Sequence, residues 1–170
     1  WVPYLMRDIV CLSQYLGLPL GALNPDPVVM NMMTREISPD QPHIGRLTRM
    51  GILACEIGDA EGWAFMDEVS SLIWSGGAWT EGTALVEAAA RAGFDLADLD
   101  SRQEAEKDRL EGLIAENQAA QDPHHWGVPL MVFEGEAFFG QDRLDVLEWR
   151  LEQSGVQRRS FKSSTSSLTG

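Results

Sequence analysis

Two short apolar runs constrain this chain more than any other feature. They lie in WGVPLMVFEGEAFFGQDRLDVLEW, Trp126–Trp149. Pro129–Phe133 and Glu136–Phe139 are rich in strand-forming residues, and Glu134-Gly135 between them is a tight-turn signal. The pattern specifies no other strand with comparable clarity. An isolated hairpin is marginal in water. LMVF is apolar on both faces, as in a strand covered by helices on both sides. The chain thus predicts an α/β fold whose sheet needs more strands than the sequence visibly supplies.

The rest of the chain reads as helices. Val2, Leu5, Ile9, Leu12 and Leu16 recur at steps of three and four, with Gly17 as a stop. The proline-rich LPLGALNPDPVV follows, with an extended piece expected at Leu18–Leu23. Pro42 opens a second helix carried by Ile44, Leu47, Gly51 and Ala54, apolar nearly all round and so buried. A third runs from about Gly62 with Met66, Val69 and Ile73 inward. Thr80 is the expected cap of a fourth, which ends at Ala92-Gly93. DLADLD reads as a short helical turn. Ser101-x-x-Glu104 reads as a capping box opening a long fifth helix with Leu110, Leu113 and Ile114 inward. A last helix places Leu144, Leu147 and Leu151 on one face and ends at Gly155. The final VQRRSFKSSTSSLTG is polar and aperiodic, the composition of a disordered tail.

Charge narrows the partners. The chain of 170 residues has a formal net charge of -13 and no basic patch outside the tail. Nucleic acid and anionic membrane surfaces are therefore poor partners. No apolar run is long enough to span a bilayer. Cys11 and Cys55 have no metal-type spacing and read as small buried thiols, in keeping with a reducing cytoplasm. His124 and His125 with Asp122 read as a solvated loop rather than a metal site, because a site needs more ligands at defined spacing. His43 stands alone.

The C-terminal stretch resembles the signature of 2-hydroxychromene-2-carboxylate isomerases and kappa-class glutathione transferases, a DsbA-like branch of the thioredoxin superfamily. The matching residues are Gly127-Val128-Pro129, Glu134-Gly135 and Phe139-Gly140-Gln141-Asp142-Arg143. YLMRDIVCLSQYLGLPL, Tyr4 to Leu20, resembles the family's helix after its second strand. The resemblance covers about Tyr4 to Ser154. It implies a thioredoxin-like domain, in part residues 1–40 and 121–155, interrupted by a helical insertion domain at 41–120, with 156–170 a tail. It also implies that a β-α-β unit carrying the family's serine, or the cysteines of oxidoreductase relatives, precedes Trp1.

The resemblance implies glutathione as cofactor. It implies a cis bond before Pro129 that turns Val128 outward, where the cysteinyl unit of glutathione docks by strand-like pairing. Gln141 and Asp142 would receive the γ-glutamyl end, amides at the helix start taking its carboxylate and Asp142 its ammonium. Asp142 read on its own is an N-cap, and Arg143 an ion-pair partner. Trp74 and Trp79, with Met30 and Met33, would wall an apolar site for a small-molecule substrate, or else belong to the core. The implied activity is glutathione-dependent isomerisation or transfer on an electrophilic aromatic molecule, in the cytoplasm, with room for a homodimer. The alternatives are a DsbA-like thiol-disulfide oxidoreductase and a non-catalytic remnant.

Overall fold

The computed structural model describes residues 2–157 apart from 32 and 35. The tail expected at 156–170 therefore lies almost wholly outside the described residues. Helix α1 spans Val2–Leu16 and stops at Gly17. The described residues among 18–43 form no helix and no strand, only the isolated bridges Asn24–Ala78 and Met30–Ile37. The extended piece expected at Leu18–Leu23 does not form a strand. Instead Gly21 donates its N–H to the Trp74 carbonyl at 2.8 Å. A Cβ on Gly21 would lie 2.6 Å from Gly76 Cα, so only glycine lets these two backbones approach.

The helical core follows: α2 (Ile44–Ile57), α3 (Asp59–Trp74), α4 (Ala84–Arg91) and α5 (Leu96–Ala105). α2 is inward-facing along Leu47, Met50, Gly51, Leu53 and Ala54, as its pattern requires. On α3 the buried stripe is Gly62, Phe65, Val69 and Ile73, while Met66 is 46 % exposed. Phe65 takes the inward place expected of Met66 and meets the Phe94 ring edge-on at 5.6 Å. Gln103 is the buried polar side chain of this core. Arg49 Nε satisfies it, donating to Oε1 at 2.7 Å. Arg46 also reaches from α2 to α5, donating from Nε and Nη2 to the two oxygens of Asp100, which raises the Arg46 pKa further.

Three helix boundaries differ from the sequence pattern. α4 begins at Ala84, so Thr80 is not its cap; Thr83 precedes it and bonds Glu87 at 2.6 Å. DLADLD is not a lone turn but the start of α5, capped by Asp95, whose side chain accepts from the Ala97 N–H at 2.8 Å. Ser101 and Glu104 consequently fall inside α5 rather than opening a helix. The expected single fifth helix is two, and α6 spans Lys107–Gln121 with Leu110 fully buried. The cysteines depart from expectation as well. Both Cys11 and Cys55 are exposed free thiols.

Strands β1 (Leu130–Phe133) and β2 (Glu136–Phe139) form an antiparallel hairpin with Leu130 opposite Phe139 and Phe133 opposite Glu136. Glu134 and Gly135 both take positive φ, 49° and 82°, as a type I′ turn demands. A 3₁₀ turn, Gln141–Arg143, leads into α7 (Leu144–Gln153), which packs on β2. Leu147 and Leu151 are half-buried, and Leu144 is exposed. The chain divides into two compact units, Trp1–Leu113 and Ile114–Gly170. No helix among the described residues is long and apolar enough to cross a membrane.

Candidate functional site

In the second unit the hairpin register sets Pro129 and Gly140 side by side just beyond the last strand pair. Gly140 donates its N–H to the Pro129 carbonyl at 3.0 Å. That bond brings the Gly127–Pro129 loop to the start of the 3₁₀ turn, though eleven or more positions separate them in sequence. Val128, Pro129, Gln141 and Asp142 are thus gathered at one end of one hairpin.

The loop is held from beneath by aromatic residues. His125 stacks on Phe139 with ring centroids 3.8 Å apart and on Trp126 at 5.3 Å. Its Nδ1 accepts the Gly127 N–H at 2.9 Å, and Gln121 Nε2 donates to the Gly127 carbonyl at 3.3 Å. Gly127 is buried, and a Cβ there would meet the Phe139 ring at 2.6 Å. His125 is therefore a structural side chain of this loop and not part of a solvated one. Among the described residues no group of three or more His, Cys, Asp or Glu is placed to hold a metal ion.

With Gly127 fixed on one side and Pro129 on the other, Val128 stands out at 77 % exposure. Its peptide bond to Pro129 is cis. Among the described residues neither its N–H nor its carbonyl has a hydrogen-bond partner. An exposed donor and acceptor on one residue can pair with an extended peptide as an added strand does.

The 3₁₀ turn supplies the other half. The α-helix proper begins at Leu144, so Gln141 and Asp142 sit in the turn ahead of it rather than in the first turn of α7. Neither helix start carries a side-chain capping bond. Asp142 is thus not the N-cap that its position suggested. Its carboxylate folds back over Gly140, where a Cβ would meet Oδ1 at 2.5 Å, and it lies 3.9 Å from Arg143 Nε. The Asp142 side chain is 73 % exposed, and such an exposed pair contributes little. Asp142 is therefore an accessible anion beside the Val128 backbone loop. Arg150 Nε, 2.6 Å from Glu136, ties α7 to β2 below it, and this carboxylate raises the Arg150 pKa.

The tryptophans separate. Trp79 is 1 % exposed; its indole N–H donates to the Pro25 carbonyl at 2.8 Å and its ring meets His43 edge-on. It belongs to the core and presents no face to a ligand. Trp74 is 48 % exposed and lines a cavity of about 840 Å³ along α2 and α3. Met30 borders a different loop pocket with Ile37, and Met33 is 92 % exposed, so neither joins Trp74. His125 was the missed member of the loop. Its signal was the aromatic pair His125-Trp126 directly before Gly127-Val128-Pro129.

A family model for the DSBA-like thioredoxin domain matches residues 3–152. The chain belongs to the DSBA-like thioredoxin domain family, and its mixed α/β architecture is that fold. No curated protein and no solved structure matches it.

Proposed function

We propose that this domain serves a glutathione-dependent isomerase or transferase acting on an electrophilic, aromatic small molecule. The observation that carries the reading is the exposed Val128 backbone, lacking a partner among the described residues, beside the exposed carboxylate of Asp142. An acceptor and a donor on Val128 suit the peptide of the cysteinyl unit. Asp142 suits the γ-glutamyl ammonium, and the Gln141 side chain has both donor and acceptor for its carboxylate. Glutathione, when bound, supplies the thiolate that attacks the electrophile. The chain's own residues bind and orient it and hold its charges. The global charge of -13 is no obstacle, because Asp142 meets the positive end of the ligand. A cytoplasmic setting accords with this reading, since glutathione is kept reduced there.

The same Val128 backbone also favours a second reading, a DsbA-like thiol-disulfide oxidoreductase. Its unpaired N–H and carbonyl accept any extended thiol peptide. The Asp142 carboxylate distinguishes the two, since a generic peptide has no ammonium at that distance from its cysteine.

The test is Asp142→Asn in the protein that carries this domain, titrated with glutathione by calorimetry. Loss of one charge-assisted hydrogen bond of roughly 1.5–3 kcal/mol weakens affinity about tenfold or more. Melting should not change, because Asp142 makes no capping bond. Unchanged affinity removes Asp142 from the site. Affinity for a neutral cysteinyl peptide equal to that for glutathione moves the protein to the oxidoreductase reading.

A further inference from the structure

The hydrogen bond that sets the Val128 loop is made by an acceptor that acid can remove. His125 Nδ1 accepts the Gly127 N–H at 2.9 Å. An imidazole nitrogen accepts only when it carries no proton, so the proton of this ring is on Nε2. The arrangement is that of an Asx turn, in which an Asn or Asp oxygen accepts the N–H two residues on. Here the acceptor belongs instead to the side-chain type that ordinarily changes charge between about pH 5 and about pH 8.

A protonated imidazole has donors on both nitrogens. Turning the ring over sets a C–H against Gly127 and restores nothing. Gly127 is buried, and among the described residues its N–H has no other acceptor. A buried N–H without a partner is costly, and two donors facing each other add repulsion. The loop relieves both by opening, which lets water reach the Gly127 N–H. Two contacts decide what moves. His125 lies on Phe139 with ring centroids 3.8 Å apart, and an aromatic face attracts a cation. Gln121 Nε2 holds the Gly127 carbonyl by a long bond of 3.3 Å. Acid therefore keeps the ring on β2 and releases Gly127.

The surroundings supply no fixed charge to the ring. β2 meets it with Phe139, and the end of α6 with Gln121, whose carbonyl accepts the His125 N–H at 3.2 Å. The titratable or charged side chains on these segments are Asp122 and His124 beside it, Glu136 on β2, and Asp142 and Arg143 on the turn after β2. Glu136 pairs with Arg150, and Asp142 lies 3.9 Å from Arg143. Among the described residues none of the five is hydrogen-bonded or ion-paired to the ring.

We propose that His125 is the positioning residue of the Val128 loop and makes ligand docking there acid-sensitive. Neutral His125 holds Gly127 and presents the Val128 backbone, and protonated His125 releases both. The gate rests on the proposed reading of Val128 as the backbone on which a cysteinyl peptide such as glutathione docks. Apparent affinity then falls with the fraction of loops that stay closed.

The test uses the protein that carries this domain, between about pH 8 and about pH 5. Hydrogen-exchange protection of the Gly127 amide, read by nuclear magnetic resonance, should fall about fivefold or more in acid. Glutathione affinity, read by calorimetry, should fall with it. His125→Asn keeps an acceptor for Gly127 that does not titrate, so protection and affinity should stay level across the range. His125→Phe keeps the stack on Phe139 without an acceptor, so both should be low at every pH. These two variants break different halves of the contact, and a folding defect in one leaves the other to decide. His124→Gln should keep the wild-type profile. Wild-type Gly127 protection that is independent of pH overturns the proposal. So does a His125→Asn protein that stays acid-sensitive, a His124→Gln protein that does not, or glutathione affinity that holds constant while Gly127 protection falls. A Gly127 amide that responds in a protein binding glutathione at no pH removes the docking reading and upholds the hold of His125 on the loop.

Discussion

Every member of the principal core cluster lies between Leu47 and Leu110, while among the described residues of the unit that carries the hairpin the buried large side chain is Phe138. The two regions are held by different physics. A helix satisfies its own backbone and needs only a stripe of apolar residues on a neighbour. The four helices α2–α5 supply such stripes to one another. A two-stranded hairpin leaves edges unpaired and offers one face. This one is held by a type I′ turn, the His125–Phe139 stack and the Arg150–Glu136 pair rather than by a core. The poorly covered region is also where the candidate site lies. Backbone groups unpaired within a fold are what a peptide-like ligand uses, so the binding place we propose is the one where open hydrogen-bonding capacity lies.

The largest break in that comparison comes from Phe65→Ala. Phe65 is 1 % exposed against Phe94, and its truncation should cost about 3–5 kcal/mol, read by urea unfolding followed by circular dichroism. A loss under about 1 kcal/mol would mean that the helical core is not where stability resides. The same change at Phe138 should instead show as faster amide exchange in β1 and β2, with the α2–α5 amides unaffected.

Gly62→Ala comes next. Its new Cβ would lie 2.5 Å from Cys55 Sγ and 3.0 Å from Cys55 Cα. Overpacking the α2/α3 crossing should cost about 1–3 kcal/mol in the same unfolding measurement. No loss would show that the two helices can slide apart freely.

A matched pair of aspartates sharpens the contrast further. Asp95 caps α5 through the Ala97 N–H, so Asp95→Ala should cost about 1 kcal/mol. Asp142 makes no capping bond, and Asp142→Ala should stay within about 0.5 kcal/mol. Equal losses would show that Asp142 caps α7 in solution.

The smallest effect is electrostatic. Hydrogen bonding to Arg109 holds the Glu56 carboxyl below its ordinary value. A depressed folded-state pKa adds stability above the unfolded value, about 4.3, and that stability is lost as pH falls through the folded one. Both groups are exposed, so the acid limb of a melting-temperature profile should be slightly shallower in Glu56→Gln than in wild type. Parallel limbs would show that the pair contributes nothing in solution.

The sequence by itself determined what is local. Glu-Gly between two apolar runs can only turn tightly, because its positive φ angles suit glycine and the spacing leaves no other loop. Val2–Leu16, Ile44–Ile57 and the DsbA-like kinship were legible for the same reason, each resting on a periodicity or a short motif. What the tertiary structure decided depends on partners distant in the chain. Phe65 rather than Met66 faces inward because α3 is rotated to meet α2 and Phe94. Trp79 is core because the Pro25 carbonyl, 54 positions earlier, takes its indole proton. The cap of α5 is Asp95 and not Ser101 because Leu96 and Leu99 must reach the core, which starts the helix six residues sooner. Val128 and Asp142 come together only through the Gly140–Pro129 hydrogen bond that the hairpin register creates. A pattern of residue types carries the first kind of information because local sterics act within a few residues. It cannot carry the second, because which of two adjacent apolar side chains is buried depends on the neighbour it meets.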